Sequence, residues 1–325
     1  MYRRIRQNVV LACAVLLLSL FAFSGQAFAQ TTTNSDVNGN QISSFRCVAR
    51  PKIQAPPEPF HQKMATQVLQ PICASGQVPQ SINTRITEKG RAPLPVVPHK
   101  ANIAAGYHYV YGYQYATALG GDAYFSQHTP FLSSSDNHTL AETASESSDG
   151  RQIVEIGWTV DRGLNGDSNP HLFVFSWVNG NPNCYNGCGY VQYSNTFRPG
   201  QAVAGDGSVY LYAIEYYQGN WWLYSQNQWL GYFPGTLWSN QGVNFSQVGL
   251  VQWFGEVSSG GGSGTQMGNG IYGSNSGSAT ITNASFITSV TTATAANLSV
   301  NATDPSCYNS GVINTSAFGF GGPGC

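Results

Sequence analysis

Two glutamates stand inside apolar, strand-like runs of the sequence. Glu155 lies in IVEIGWTV (153–160) and Glu256 lies in VGLVQWFGEV (248–257). Two carboxyl groups that are brought close together cannot both ionise cheaply, so at acidic pH they share a proton. One can then act as a base toward water while the other donates a proton to a carbonyl oxygen. The pair predicts acid-active hydrolysis, and the alternative is that both acids lie on a solvated sheet face.

Attack of water on a carbonyl carbon produces a tetrahedral oxyanion, which needs hydrogen-bond donors aimed at it. Gln252 precedes Glu256 in the same run, and Gln192 ends the segment GYVQ. Both side-chain amides are candidate donors by residue type, and the alternative is that each amide bonds to the backbone.

Motifs for other catalytic chemistry do not occur in the sequence. It contains no GxSxG motif for a serine nucleophile and no HExxH motif for zinc. The histidines after residue 100 lack the spacing of metal ligands: they are His108, His128, His138 and His171. We therefore expect no metal and no cofactor. Among the other glutamates, we interpret Glu215 as a surface residue and place Glu142 and Glu146 in a polar run.

The runs around both acids belong to a series of short strand-like segments. Strand side chains alternate between two faces, so Glu155 shares a face with Gly157, which leaves room for a close approach. Segments rich in Val, Ile, Tyr, Phe and Trp, separated by Gly, Asn, Ser and Pro, recur at 107–119, 152–160, 172–178, 209–217, 220–226, 248–257 and 279–287. This pattern predicts an all-β fold, namely an antiparallel β-sandwich of jelly-roll type.

The N-terminus has the pattern of a secretory signal peptide. MYRRIRQ is basic, residues 9–23 are nearly all apolar, and AFA at 27–29 offers a cleavage site after Ala29. No other run is long enough to cross a bilayer. We expect a secreted chain, extracellular or periplasmic, that associates with neither membranes nor nucleic acid.

Removal of this signal peptide would leave six cysteines. An even number in an exported chain predicts three disulfides, although six cysteines allow fifteen pairings. Proximity in the sequence favours Cys47 with Cys73, Cys184 with Cys188, and Cys307 with Cys325.

Charge divides the mature chain into two parts. Residues 30–100 hold eight lysines and arginines against three acids, a net charge of +5. Residues 101–325 hold three arginines against twelve acids, a net charge of −9. The segment RAPLPVVPHK (91–100) carries three prolines that favour an extended connector. Apart from a short helix predicted near 58–70, the first part shows little periodicity, and a flexible secretion spacer is one interpretation of it.

Several blocks resemble the neprosin family of secreted glutamic peptidases. They are VEIGWTVDRGLNGDSNPHLFVFSWV, CYNGCGYVQ, GNWWLYSQNQWLGYFPGTLW, VQWFGEV with TQMGNG, and CYN with FGGPGC, in that order over residues 137–325. The resemblance implies a β-sandwich with two catalytic glutamates, which map onto Glu155 and Glu256. It also implies cleavage on the carboxyl side of proline at acidic pH, after removal of an inhibitory N-terminal region.

With this resemblance, the expected organisation is a signal peptide at 1–29, a propeptide at 30–100 and a catalytic domain at 101–325. The expected partners are proline-containing peptide or protein substrates, and the propeptide as an inhibitor. Trp158 and Trp253 are candidates for a groove that stacks on proline rings, although core packing is the default for tryptophans in a sandwich.

Two other functions fit an aromatic β-sandwich. A glycoside hydrolase would also use a pair of carboxyl groups, roughly 5 to 9.5 Å apart. A non-catalytic carbohydrate-binding module would use the tryptophans and not the glutamates.

Overall fold

The structure is a computed structural model that describes residues 31–35, 41–59, 69–82, 89–90, 92 and 106–325. The predicted signal peptide, most of the helix predicted near 58–70 and most of the connector 91–100 lie outside the described residues.

The N-terminal region contains a small antiparallel sheet that the sequence pattern did not predict. Its strands β1 (Thr31–Ser35), β2 (Gln41–Ala49) and β3 (Gln77–Ser81) pair in the order β1-β2-β3. A disulfide between Cys47 and Cys73 joins β2 to the segment before β3. The composition of this region resembles that of a linker. The pairing of β2 with β3 and the disulfide nevertheless give it a defined fold.

This region packs against the domain that follows. The backbone N–H of Cys73 donates to Asn195 Oδ1 at 2.8 Å, and Asn195 Nδ2 donates to the Cys73 carbonyl at 2.9 Å. The Arg50 guanidinium lies 4.0 Å from the ring centroid of Tyr193. The described N-terminal residues are therefore docked on the larger domain.

Two antiparallel sheets form the rest of the fold. Their strands, in chain order, are β4 (Tyr107–Ala118), β5 (Gly120–His128), β6 (His138–Glu146), β7 (Ile153–Val160), β8 (His171–Val178), β9 (Asn181–Pro182), β10 (Val191–Gln192), β11 (Asp206–Tyr217), β12 (Asn220–Ser225), β13 (Gln228–Pro234), β14 (Val248–Ser258), β15 (Ala279–Ser289), β16 (Thr292–Ala295), β17 (Ser299–Ala302), β18 (Asn309–Asn314) and β19 (Ala317–Gly321). The seven-stranded sheet has the order β17-β4-β14-β6-β7-β8-β9. The nine-stranded sheet has the order β10-β13-β12-β11-β5-β15-β19-β18, with β16 paired to β15.

All seven segments predicted from alternation form strands of these sheets, which confirms the predicted antiparallel β-sandwich. The inner face of the seven-stranded sheet carries Ile156 and Trp158 of β7 and Val251 and Trp253 of β14. They belong to one buried cluster with Phe125 and other side chains of the nine-stranded sheet. Burying each of these large apolar side chains contributes about 1.5 to 3 kcal/mol.

The helices are short connections between strands. They are α1 (Arg162–Asn165) and α2 (Thr236–Ser239). Asp161 caps α1 by accepting a hydrogen bond from the backbone N–H of Leu164. In the described part of the chain, no helix has the length and apolar character needed to span a membrane.

The other two predicted disulfides are also present. Cys184 is bonded to Cys188 and Cys307 is bonded to Cys325, so all three predicted pairs are confirmed. The second of these bonds ties the C-terminal residue to the segment before β18.

Candidate active site

Three adjacent strands of the seven-stranded sheet each place one glutamate on the same face. Glu155 of β7 pairs with Ala144 of β6, two residues after Glu142. Glu256 of β14 pairs with Leu140 of β6, two residues before Glu142. Because alternate residues of a strand share a face, the three carboxyl groups lie on a diagonal with Glu142 in the middle. We call Glu142, Glu155 and Glu256 the carboxylate cluster.

The carboxylate cluster is fully buried, with all three side chains at 0% exposure. It lies on the outer face of the seven-stranded sheet, among aromatic residues that form a second buried cluster separate from the sandwich core, including Tyr109, Phe173 and Phe175. The interpretation of Glu155 and Glu256 as acids on a solvated sheet face is therefore wrong.

A lysine from the N-terminal region occupies the carboxylate cluster. Lys89 Nζ lies 2.5 Å from Glu155 Oε2, and 2.7 and 2.9 Å from the two carboxylate oxygens of Glu142. The ammonium also lies 5.1 Å from the ring centroid of Phe173 and 5.5 Å from that of Phe175. Carboxylates and aromatic faces are the groups that compensate a buried ammonium for its lost hydration.

The residues after Lys89 cover the same face. A Cβ atom added to Gly90 would lie 2.3 Å from the ring of Tyr107 and 2.6 Å from the hydroxyl of Tyr109, so any larger residue would have to displace these side chains. Ala92 is 2% exposed and belongs to the aromatic cluster around the carboxyl groups. These residues therefore seal the cluster from solvent.

Two further side chains hold the outer members of the cluster. His138 Nε2 lies 2.6 Å from Glu256 Oε1, and both side chains are fully buried. Trp177 Nε1 donates to Glu155 Oε1 at 3.1 Å. Glu256 Oε2 is buried and has no hydrogen-bond partner among the described residues. One oxygen of Glu256 is thus oriented by His138 and the other is available to another molecule.

The protonation of Glu142 and Glu155 is governed by burial, by repulsion between carboxylates and by the Lys89 ammonium. Burial raises the pKa of Glu142 well above its usual range, and the neighbouring Glu155 carboxylate adds to this, while Lys89 opposes it. Burial also raises the pKa of Glu155, against the lowering effect of the Lys89 ammonium. Burial alone would lower the pKa of Lys89, but Glu142 and Glu155 raise it above the usual value. Without the ammonium, the two carboxyl groups would hold a proton to a higher pH than a free glutamate.

Gly157 allows the backbone of β6 to come close to β7 at Glu142. A Cβ atom at this position would lie 2.2 Å from the carbonyl oxygen of Ala141 and 2.6 Å from Cβ of Glu142. The space that the sequence predicted beside Glu155 is therefore filled by Glu142 and its backbone.

The other residues predicted for the site have different locations. Gln252 is buried on the same face, separated from Glu155 by Ala144 in the strand pairing. Gln192 lies in β10 of the nine-stranded sheet, where its side-chain amide donates to the carbonyls of Ser194 and Phe197. Gln192 is therefore not brought to the carboxylate cluster.

The predicted groove tryptophans lie in the sandwich core instead. Trp158 Nε1 donates to the carbonyl of Ser126, and Trp253 Nε1 donates to the carbonyl of Asp122. The placement of these tryptophans in a groove is therefore wrong, because their positions in β7 and β14 are odd steps from Glu155 and Glu256 and so face inward.

Glu215 of β11 is also not the surface residue that the sequence suggested. It is 4% exposed, and burial together with the nearby Asp122 carboxylate raises its pKa to about 8. Glu215 lies in the nine-stranded sheet and is not part of the carboxylate cluster.

Four site residues were missed by sequence reasoning: Lys89, His138, Glu142 and Trp177. Glu142 was placed in a polar run, although His138, Glu142 and Glu146 recur at a spacing of four and therefore share one face of a strand. That spacing was a usable signal. Lys89 gave none, because it contacts residues 53 and 66 positions later in the chain.

A metal site is not formed by the cysteines and acids that the structure describes. The one group of three possible ligands among them is Asp304, Cys307 and Cys325. Its two cysteines are joined in a disulfide, so they offer no thiolate to a metal.

Comparisons with solved structures give only low similarity. Scytalido-glutamic peptidase with a peptide-based transition-state analog matches with a TM-score of 0.36 and 8% identity, covering 68% of this chain and 98% of that chain. Apo Crh5 transglycosylase matches with a TM-score of 0.28 and 11% identity, covering 49% of this chain and 66% of that chain. Bacillus licheniformis beta-glucanase matches with a TM-score of 0.22 and 12% identity, covering 71% and 79% respectively.

The family comparison is decisive where the structural ones are not. The family described as Neprosin matches residues 133–323, which is more than half of the chain and includes all three members of the carboxylate cluster. The chain therefore belongs to the neprosin family.

Proposed function

We propose that the chain is a secreted, acid-active glutamic endopeptidase in which Glu155 and Glu256 activate a water molecule. The observation that carries the proposal is the burial of both carboxyl groups on one sheet face of a neprosin-family domain. A buried carboxylate without chemistry to perform is a costly feature of a β-sandwich. Its placement beside other carboxylates favours a proton-transfer site.

The proposed reaction is direct attack of water on a peptide carbonyl. One glutamate removes a proton from the water as its oxygen attacks the carbonyl carbon, and the other gives a proton to the carbonyl oxygen. Gln252 remains a candidate donor to the tetrahedral intermediate because it lies on the same face. Gln192 is not proposed for this role, since its amide is bonded to backbone elsewhere.

We propose cleavage on the carboxyl side of proline, as the family resemblance implies. The face around the cluster carries Tyr109, Phe173, Phe175 and Phe254. All four are buried while Lys89 and the residues after it cover the cluster, an arrangement that we call the closed state. Removal of the covering segment would leave aromatic faces against which a rigid apolar pyrrolidine ring packs well.

We propose that residues 30–100 are an inhibitory propeptide and that Lys89 is its principal inhibitory contact. The Lys89 ammonium lies between Glu142 and Glu155, where it excludes water and substrate from the cluster. Gly90 and Ala92 cover the adjacent surface. The +5 and −9 charges of the two parts favour this docked arrangement at neutral pH.

Acidification would weaken the inhibitory contact. The Lys89 ammonium lowers the pKa of Glu155 and Glu142, although burial has the larger effect and raises both pKa values. The stabilisation that the ion pairs with Lys89 give to the covered site is present while Glu142 and Glu155 are ionised, and it is lost as pH falls and these carboxyl groups are protonated. An enzyme specific for proline could then cut the connector at Pro93, Pro95 or Pro98.

Secretion is proposed from the signal-peptide pattern and is supported by the three disulfides, since such bonds persist in oxidising compartments.

The test compares Glu155→Gln and Glu256→Gln with the wild-type chain on a proline-containing peptide and a polysaccharide panel at acidic pH. Each variant should lose peptide turnover, because an amide cannot exchange a proton as a carboxyl group does. Glu215→Gln is the matched control, since it removes another buried carboxyl group outside the cluster. Near wild-type turnover in either dyad variant would remove that residue from the mechanism. Polysaccharide cleavage that is lost in both variants would indicate a glycoside hydrolase, and polysaccharide binding without turnover would indicate a binding module.

A further inference from the structure

Glu142 occupies the centre of the carboxylate cluster, yet the proposed reaction needs only the two glutamates that flank it. Its side chain is fully buried, and Lys89 is its one hydrogen-bonding partner among the described residues. A carboxyl group that is buried with only a removable partner needs a second arrangement once that partner leaves.

The position of Lys89 shows how close Glu142 and Glu155 are. One ammonium lies 2.7 Å from Glu142 Oε2 and 2.5 Å from Glu155 Oε2, so these two oxygens are within about 5 Å of each other. Small side-chain rotations would bring them into direct contact when the ammonium is gone. Two buried carboxyl groups at that distance are stable together only with a proton between them.

Glu256 has different surroundings. Its Oε1 lies against His138 Nε2, which can donate a hydrogen bond to the carboxylate form, and its Oε2 has no partner among the described residues. A carboxylate with one oriented oxygen and one available oxygen is suited to accept a proton from water.

We propose that Glu142 is a positioning residue that shares one proton with Glu155, which makes Glu155 the proton donor and leaves Glu256 as the base. The inference rests on the proposed peptidase function and assigns the two roles that this function leaves open. In this assignment Glu142, the middle carboxyl group of the cluster, affects the reaction only through the proton that it shares with Glu155.

The proton balance follows from this assignment. The Glu256 carboxylate takes a proton from water, the water oxygen bonds to the carbonyl carbon, and Glu155 protonates the carbonyl oxygen. When the carbon–nitrogen bond breaks, the Glu256 proton passes to the leaving nitrogen and a hydroxyl proton of the intermediate returns to Glu155. The total charge of the cluster is unchanged in each step, because one glutamate gains a proton as the other loses one.

Other ionisable groups also face this pair. On β14 and β6 they are Glu256 and His138, and around them lie Tyr109 of β4, Tyr185 and Asp161, with Lys89 present in the precursor. Burial raises the pKa values of Tyr109 and Tyr185 well above the usual range, so both stay neutral in the acidic range. A substitution that removes the Glu142 carboxyl group therefore changes the charge beside Glu155 without a compensating change in the charge of these tyrosines.

The test is the pH profile of kcat/KM in Glu142→Gln, measured on the full chain after activation at acidic pH. Removing the neighbouring charge makes Glu155 lose its proton at lower pH, so the alkaline limb should move toward acid by about one unit or more. KM should change little, because Glu142 does not touch the substrate in this scheme. Glu146→Gln, on the same strand and face, is the matched control and should leave the alkaline limb in place.

Glu142→Met provides a second variant, since it fills similar space without a charge and should show the same acidward shift. A folded variant of either kind with an unchanged alkaline limb would overturn the inference. Failure of both variants to fold would also overturn it, because it would show that Glu142 is structural.

A second readout does not depend on turnover. The Lys89→Met variant, which has no ammonium in the cluster, is labelled with carbon-13 at its seven glutamates. NMR spectra recorded over a range of pH then follow the ionisation of each carboxyl group. Addition of Glu142→Gln should lower the pH at which Glu155 ionises. If wild type cleaves no peptide but this shift is seen, the proposed function fails while the shared proton stands; if peptide is cleaved and no shift is seen, only the shared proton fails.

Discussion

Replacement of Lys89 by methionine should release the inhibited precursor without any cleavage. The side chain keeps much of its length and apolar stem, but the ammonium between Glu142 and Glu155 is lost. When the N-terminal region covers the site (the closed state), the two carboxyl groups would then be buried without a countercharge, whereas water reaches them when this region is displaced (the open state). The substitution therefore raises the free energy of the closed state relative to the open one.

The size of the effect follows from the contacts. Removing one partner of a buried ion pair costs about 3 to 5 kcal/mol when the remaining charge stays ionised. Each 1.4 kcal/mol changes an equilibrium constant about tenfold, so the closed-to-open ratio should fall about 100-fold or more where the carboxyl groups are ionised. The effect should shrink as pH falls, because protonation of Glu142 and Glu155 removes the uncompensated charges.

The assay is the initial rate on a quenched fluorescent peptide that contains proline. The connector prolines Pro93, Pro95 and Pro98 are replaced by alanine in both chains, and electrophoresis confirms that the precursor stays uncut. Lys52→Met is the control, since it removes a lysine of the same region that is exposed to solvent. An uncut Lys89→Met precursor that is as inactive as its parent at every pH would refute the inhibitory role of Lys89.

Three further outcomes are expected. Peptide turnover should be greatest at acidic pH and fall toward neutrality, because the pKa of Glu155 is raised by burial and its proton is lost as pH rises; a neutral optimum in the pH–rate profile would contradict the mechanism. His138→Phe should reduce kcat by about tenfold or more while leaving KM similar, since it removes the hydrogen bond to Glu256, and steady-state kinetics will check this. Gly157→Ala should destabilise the fold by several kcal/mol, because its Cβ would lie 2.2 Å from the Ala141 carbonyl oxygen; an unchanged midpoint of denaturant unfolding would contradict this contact.

The sequence predicted the strands of the candidate active site better than the residues that gather on them. Alternation in IVEIGWTV and VGLVQWFGEV correctly separated Glu155 and Glu256 from Trp158 and Trp253, so the same rule already argued against tryptophans in the groove. Strand β6 was harder to recognise. Its composition of Thr, Ala, Ser and Glu resembles a loop, yet both of its faces are buried in the folded protein.

Contacts between distant parts of the chain were not predictable from local patterns. Nothing near Lys89 in the sequence indicates a buried cation, because its partners are supplied by strands that begin about 50 residues later. The opposite net charges of residues 30–100 and 101–325 do not identify which of the eight cations in the first part enters the site. Gln192 is the opposite case. Its residue type suggested a hydrogen-bond donor to the oxyanion, but β10 lies in the nine-stranded sheet, away from the carboxylate cluster.

The buried Glu215 makes the folding stability of the protein depend on pH. Its folded pKa of about 8 is above the 4.5 of an exposed glutamate, so its contribution to stability is full below about pH 4.5 and is lost as pH rises toward 8. A processed molecule that diffuses from an acidic compartment into neutral surroundings would lose folding free energy as well as its catalytic proton. The acidity of the surroundings would thus act on the stability of the fold as well as on turnover.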